Sequence, residues 1–174
     1  MYVTVDRLKR ADGLGTRTIA VAGPKGGCGK TTTTLGLAEA FGQSGVPTLI
    51  VDADRQLPNL LLAAGVDREP TIGSLSVGSK FKDYAQQHPE NSKVRVLPAP
   101  KTDEEVDLKS TLERLNTNSV QILIDCPAGI GPDAVEPIVA SDKVIVVTTN
   151  TEQSFNAAQK TINTAERVGV PVEA

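Results

Sequence analysis

Long apolar runs are missing from this chain. Its longest apolar stretches have the length of a β-strand, so none reaches the roughly 18 residues that a membrane-spanning helix requires. The first residues also contain no basic segment leading into an apolar one, and so give no sign of a secretory leader. We therefore expect a soluble protein of the cytoplasm.

Cysteine, histidine and aromatic residues are scarce. Two cysteines, Cys28 and Cys126, are too few for a disulfide framework, and a single histidine, His88, argues against a histidine-rich metal site or a catalytic triad. Aromatic residues make up 3% of the chain, with no tryptophan, which disfavours stacking platforms for single-stranded nucleic acid. The formal net charge of −3 also argues against a surface that neutralises many DNA phosphates.

Short runs rich in valine, isoleucine and leucine alternate with segments of helical spacing. The predicted strands are 18–22, 48–51, 94–97, 120–124 and 143–147, and the predicted helices are 31–43, 103–115, 132–140 and 152–168. Between them, 70–92 is rich in glycine, serine and glutamine and is predicted to be a loop with a short helix. Strands separated by helices predict an α/β fold with a mostly parallel β-sheet flanked by helices on both faces. We expect one domain over 1–174, in which 1–17 form an N-terminal arm or edge strand.

A glycine-rich loop joins the first predicted strand to the first predicted helix. Residues 23–32 read GPKGGCGKTT. Glycines allow consecutive backbone N–H groups to turn around an anion, and the helix that follows contributes its positive end. The chemistry predicts that ATP phosphates bind to Gly26, Gly27, Cys28, Gly29, Lys30, Thr31 and Thr32. In this scheme Lys30 reaches the β- and γ-phosphates, Thr31 ligates Mg²⁺ and Thr32 contacts the α-phosphate.

The loop departs from the usual phosphate-binding pattern at its first position, where Pro24 replaces glycine. A second lysine, Lys25, precedes Lys30 by five residues, and the resulting KGGCGKT resembles the deviant Walker A motif of the MinD/ParA group of P-loop ATPases. The resemblance implies that Lys25 crosses a dimer interface and stabilises phosphoryl transfer on the partner's nucleotide, as an arginine finger does elsewhere. A dinucleotide-binding fingerprint is rejected because Thr32 occupies its third glycine position.

Two predicted strands end in aspartate. Asp52 and Asp54 follow the second strand, and Asp125 follows the fourth in an apolar run typical of a Walker B motif. Carboxylates at these ends face the ligand crevice of a parallel sheet and can organise Mg²⁺ or a water molecule.

The sequences around these acids, DADRQLPNL and IDCPAGI, resemble switches I and II of MinD-type ATPases. The resemblance implies that Asp54 positions the attacking water, and that Asp52 and Asp125 join Thr31 around Mg²⁺. It also implies that the amide of Gly129 senses the γ-phosphate. The nitrogenase iron protein is a relative that holds an iron–sulfur cluster, but neither cysteine of this chain matches its ligand positions.

The resemblance covers about residues 18–170 and implies an ATP-dependent homodimer whose switch regions are read by a protein partner. The family's C-terminal region, including the adenine-reading asparagine and the membrane-binding helix of MinD, has no counterpart in the 174 residues. We expect a cytoplasmic, slowly hydrolysing switch, peripheral at the membrane only through a partner. A DNA-partition ATPase of the ParA kind, a non-hydrolysing paralogue and an ATP-dependent ligase are the alternatives, with DNA binding not favoured.

Overall fold

The computed structural model describes residues 18–75, 80–115 and 120–174, without the side chain of Arg114. Its strands are β1 (Thr18–Ala22), β2 (Thr48–Asp52), β3 (Gln86–His88), β4 (Asn91–Leu97), β5 (Gln121–Asp125) and β6 (Lys143–Val146). Its α-helices are α1 (Lys30–Gln43), α2 (Leu60–Ala64), α3 (Leu108–Leu115), α4 (Pro132–Val139) and α5 (Glu152–Arg167). Two 3₁₀ turns lie at Ile72–Ser74 and Phe81–Asp83.

The six strands form one sheet in the order β3-β4-β2-β5-β1-β6, in which all neighbours are parallel except β3 and β4. Successive side chains of a strand point to opposite faces, and the two faces carry separate apolar clusters. Ile19 packs on the face covered by α1 and α2. Ala20 packs on the face covered by α3, α4 and α5. The predicted α/β fold with helices on both faces is therefore confirmed.

The prediction of a loop with a short helix for 70–92 is wrong in part. This stretch contains the edge strand β3 and the start of β4, which pair antiparallel. The sequence of β3, Gln-Gln-His, has no apolar alternation, so the strand depends on its bonds to β4. The predicted arm at 1–17 lies outside the described residues.

The third helix begins at Leu108, five residues later than predicted. Asp107 ends the preceding loop: its Oδ1 accepts a hydrogen bond from the amide of Ser110 at 3.0 Å, as an N-cap aspartate does. The main chain before Asp107 makes other contacts, since the carbonyls of Glu104 and Val106 accept hydrogen bonds from the Arg55 guanidinium.

The last residues of the chain pair with the outer edge of the sheet. Val172 forms a parallel bridge with Val144 of β6, and the amide of Val146 donates to the carbonyl of Ala174 at 2.7 Å. Lys143 and Glu173 form an ion pair beside this bridge. Residues 172–174 thus extend along β6 toward the carboxyl edge of the sheet, where the predicted site lies.

Candidate nucleotide-binding site

The glycine-rich loop connects the carboxyl end of β1 to the first turn of α1. Gly27 and Gly29 have φ of 73° and 101°, which side-chain-bearing residues adopt only with strain. A Cβ added at Gly26 or Gly27 would meet no atom within 4 Å, so the outer side of the loop is open. The loop therefore presents its backbone to an anion at the amino end of a helix.

The two lysines of the loop differ in environment. Lys30 is 8% exposed, and its ammonium donates to the carbonyl of Lys25 at 3.1 Å. The side chain of Lys25 is exposed. A buried lysine whose only described bond is to a loop carbonyl can exchange that bond for a phosphate oxygen, whereas the exposed lysine faces outward. Cys28 is half-buried in the same loop, and Thr32 is exposed in the first turn of α1.

The first turn of α1 is joined to the end of β5 through Asp125. The Thr31 hydroxyl donates to Asp125 Oδ2 at 2.6 Å, and the Thr34 hydroxyl lies 3.4 Å from Asp125 Oδ1. The predicted pairing of Thr31 with Asp125 is present in the structure. Burial raises the pKa of Asp125 to about 6, against the lowering effect of the Thr31 hydrogen bond.

Asp52 lies beside Asp125 because β2 and β5 pair in parallel register with these two residues opposite each other. Asp52 Oδ1 accepts the amide of Asp54 at 2.9 Å, while Oδ2 is buried and has no hydrogen-bond partner among the described residues. Burial raises the pKa of Asp52 to about 7, with a further contribution from the charge of Asp125. Two adjacent buried carboxylates, one with a free oxygen, form a site of strong negative potential.

The donor set fits a magnesium ion. Mg²⁺ in phosphate sites usually takes one or two carboxylates, keeps several waters and shares the substrate phosphates. The Thr31 hydroxyl, the Asp125 carboxylate and the unpartnered Oδ2 of Asp52 supply hard oxygen donors beside the glycine-rich loop. The described residues contain no group of three or more histidine, cysteine or acidic side chains placed to hold a metal by themselves.

Asp54 is turned toward its own loop. Its Oδ1 accepts the amides of Gln56 and Leu57 at 3.2 and 2.9 Å. The next residue, Arg55, donates to the carbonyls of Glu104 at 2.8 Å and Val106 at 3.0 Å. The loop 53–57 is therefore bound to the loop before α3, and the Asp54 carboxylate is held by amides of its own loop.

Gly129 lies against the glycine-rich loop. Its amide donates to the carbonyl of Gly23 at 3.2 Å, and its φ is 103°. A cavity of about 230 Å³ separates the loops 53–57 and 127–131, and Gln56 donates across it to Asp133 of α4 at 3.3 Å. The amide predicted to contact the γ-phosphate is thus already next to the loop.

A family model described as an AAA domain matches residues 16–171 of the chain. The MinD of Buchnera aphidicola (subspecies Baizongia pistaciae) is 36% identical over 142 residues, which is 76% of this chain and 53% of that protein. The chain belongs to the MinD/ParA family of P-loop ATPases. The glycine-rich loop, which lies between β1 and α1, is the deviant Walker A motif of this family.

Two further proteins are similar to this chain. An uncharacterised ATP-binding protein of Methanocaldococcus jannaschii is 33% identical over 162 residues, or 88% of this chain and 61% of that protein. The structure of MinD from Pyrococcus horikoshii, complexed with Mg-ADP, superposes with a TM-score of 0.80 at 29% identity, covering 90% of this chain and 68% of that one. The chain thus spans about 61% and 53% of the two curated relatives. Within the part of the chain that the structure describes, no helix is both long and apolar enough to cross a bilayer.

Sequence reasoning missed three residues of this MinD/ParA-type site. Thr34 follows Thr31 by three positions, so helical spacing could have placed both hydroxyls on the side facing Asp125. The contacts of Arg55 and Gln56 gave no such signal, because their partners are 49 to 77 residues away in the chain.

Proposed function

We propose that this protein is an ATP-driven switch of the MinD kind, which dimerises on ATP, hydrolyses it slowly and regulates or positions a protein partner in cell division or spatial organisation. The proposal rests on the different environments of the two loop lysines, Lys30 and Lys25. Lys30 is buried toward its own loop, whereas Lys25 is exposed and makes no described side-chain contact. An exposed cation beside a nucleotide site is available to a second copy of the chain.

Binding of the triphosphate replaces bonds that the loop makes within the protein. Lys30 exchanges the carbonyl of Lys25 for phosphate oxygens, and the Gly129 amide exchanges the carbonyl of Gly23 for the γ-phosphate. Thr31, Asp52 and Asp125 hold Mg²⁺, whose chemistry is to neutralise charge on the β- and γ-phosphates. The glycines 26, 27 and 29, with Cys28, wrap their amides around the phosphates, and Thr32 contacts the α-phosphate.

Hydrolysis requires Asp54 to release the amides of Gln56 and Leu57 and to orient a water molecule in line with the γ-phosphate. The movement of Asp54 changes the conformation of switch I, and the movement of Gly129 changes that of switch II. The nucleotide state therefore alters the surface between the two loops. Leu57 and Ile130, 70% and 49% exposed on these loops, supply apolar area that a partner protein can read.

The first experiment compares Lys25→Ala with Lys30→Ala by light scattering and nucleotide binding. Lys25→Ala should bind ATP but stay monomeric and lose turnover on the order of 10³-fold, the lower end of the effect of an arginine finger on phosphoryl transfer. Lys30→Ala should lose nucleotide binding itself. The exposed helical Lys160 provides the matched control, since Lys160→Ala removes the same charge elsewhere. ATP-dependent dimers of Lys25→Ala equal to those of the wild type would refute the role in trans.

The second experiment replaces Asp54 by Ala. The variant should bind ATP and form a dimer that persists, because the group that orients water is gone. Phosphate release and dimer lifetime are measured together, with and without liposomes and DNA. Unchanged turnover would remove Asp54 from the mechanism. DNA-stimulated turnover that falls steeply with salt would point to partition activity instead, and zero turnover in a folded wild type would indicate a non-hydrolysing regulator.

A further inference from the structure

A second pocket lies at the edge of the sheet opposite the nucleotide site. It opens beside the starts of β2 and β4 and next to Val120, which precedes β5, whereas the glycine-rich loop follows the carboxyl end of β1. Its volume is about 270 Å³. That is slightly below the roughly 300 to 1,000 Å³ of pockets for drug-sized ligands, so a small molecule is the fitting occupant.

We call this second pocket the amino-edge pocket, because it lies at the amino ends of β2 and β4. All charged residues that line it are positive. Lys82, Lys93 and Arg95 contribute side chains, and no acidic residue lines it. The ammonium groups of Lys82 and Lys93 make no hydrogen bond or ion pair to any residue in the ranges 18–75, 80–115 and 120–174. The chain as a whole has a formal net charge of −3. A concave group of three cations in an acidic protein concentrates positive potential where an anion can enter.

Arg95 is fixed in place before any ligand arrives. Its Nη1 donates to the carbonyl of Ala85 at 2.8 Å and more weakly to that of Lys82 at 3.4 Å, and the residue is half-buried. Its Nε and Nη2 have no partner within the described parts of the chain. A planar guanidinium that is held at one nitrogen and free at the others offers a preset pair of donors, the geometry that binds two phosphate oxygens at once.

Part of the wall beside these cations is apolar. Phe81 and Val120 line the pocket and are each 7% exposed. Apolar walls lower the local dielectric, which strengthens the attraction between the cations and a bound anion relative to an open surface. A carboxylate carries one negative charge, whereas a phosphate group carries about 1.5 to 2 near neutral pH and more acceptor oxygens. Three cations with a forked donor therefore match a phosphate group better.

We propose that the amino-edge pocket binds a small phosphate-bearing anion, with Arg95 donating two hydrogen bonds and Lys82 and Lys93 balancing the remaining charge. The site is separate from the Walker A loop and does not depend on the proposed switch function. Its ligand is recognised at the phosphate.

The test is a titration of the full chain, labelled with ¹⁵N, with inorganic pyrophosphate in the absence of Mg²⁺. Because amide shifts are read residue by residue, signals at Ser92, Lys93 and Arg95 report the amino-edge pocket while signals at Gly26 and Gly27 report the Walker A loop. We expect saturable shifts at both places. Shifts confined to the Walker A loop would overturn the proposal.

Two variants decide which groups bind the anion. The double variant Lys82→Ala/Lys93→Ala should weaken the pocket's affinity about tenfold or more, because two contacting charges are lost. Lys109→Ala/Lys160→Ala removes two exposed lysines from helices and should leave the affinity within about twofold. Equal weakening in both double variants would overturn the proposal by showing a general charge effect.

Arg95→Lys retains the charge but loses the forked donor. It should weaken binding at least about threefold while leaving the Walker A signals unchanged. Unaltered pocket affinity in this variant would refute the bidentate role of Arg95. Its folding is checked independently by the unchanged shifts of residues on the distant strands β1 and β6.

Discussion

Replacement of Asp52 by Asn should stabilise the protein at pH 8 in the absence of nucleotide and Mg²⁺. Burial raises the pKa of the Asp52 carboxyl from 3.8 to about 7, so between these values the folded protein holds a proton that the unfolded chain has released. Stability from this group is therefore fully present below about pH 4 and is lost as the pH rises through 7. Asp125 acts in the same direction, because burial raises its pKa from 3.8 to about 6.

The size of the effect follows from these values. A shift of the Asp52 pKa from 3.8 to about 7 corresponds to about 4 kcal/mol of lost stability above pH 7, at 1.36 kcal/mol per unit. Asn retains an oxygen that can accept the amide of Asp54, but its NH₂ group takes the place of an oxygen that has no partner. An unsatisfied buried amide costs about 1 to 3 kcal/mol. The expected net gain at pH 8 is about 1 to 3 kcal/mol.

Urea unfolding of both proteins at pH 8 and pH 4.5 measures this gain. The advantage of Asp52→Asn should shrink at pH 4.5, where the Asp52 carboxyl of the folded wild type is protonated. Asp67→Asn provides the control, since Asp67 is exposed and its carboxylate makes no described contact. A variant that is less stable than the wild type at pH 8, or whose advantage is the same at pH 4.5, would refute the reasoning. Mg²⁺ with ADP should stabilise the wild type more than the variant.

The loops 53–57 and 127–131 allow two further predictions. Gly129→Ala should cost about 1 to 2 kcal/mol, because φ of 103° strains any residue with a Cβ, whereas Gly131→Ala, with φ of −71° and open space around the Cβ, should be close to neutral. Thermal unfolding compares them, and equal losses would contradict the strain argument. Arg55→Ala should cost about 1 to 2 kcal/mol, because the carbonyls of Glu104 and Val106 lose their charged donor. An unchanged urea midpoint would show that the two hydrogen bonds of Arg55 do not stabilise the protein.

The sequence determined the features that depend on short stretches of chain. Strands β1, β2 and β5 are apolar runs buried on both faces, and their pattern is readable without knowledge of the neighbours. The Walker A loop is contiguous, so its glycines and both lysines stand together in one short stretch of sequence, and the resemblance to the MinD/ParA group implies the role of Lys25. Because parallel strands end at one edge of a sheet, the convergence of Asp52 and Asp125 was also predictable.

Only the tertiary structure decided the features that depend on distant partners. The polar strand β3 exists because β4 supplies its hydrogen bonds, and the loop before α3 accepts hydrogen bonds from Arg55. The raised pKa of Asp52 arises from burial beside Asp125, which is 73 positions away in the chain and one strand away in the sheet. Local sequence encodes backbone preference and chemistry, whereas burial and pairing are set by which segments meet when the sheet assembles.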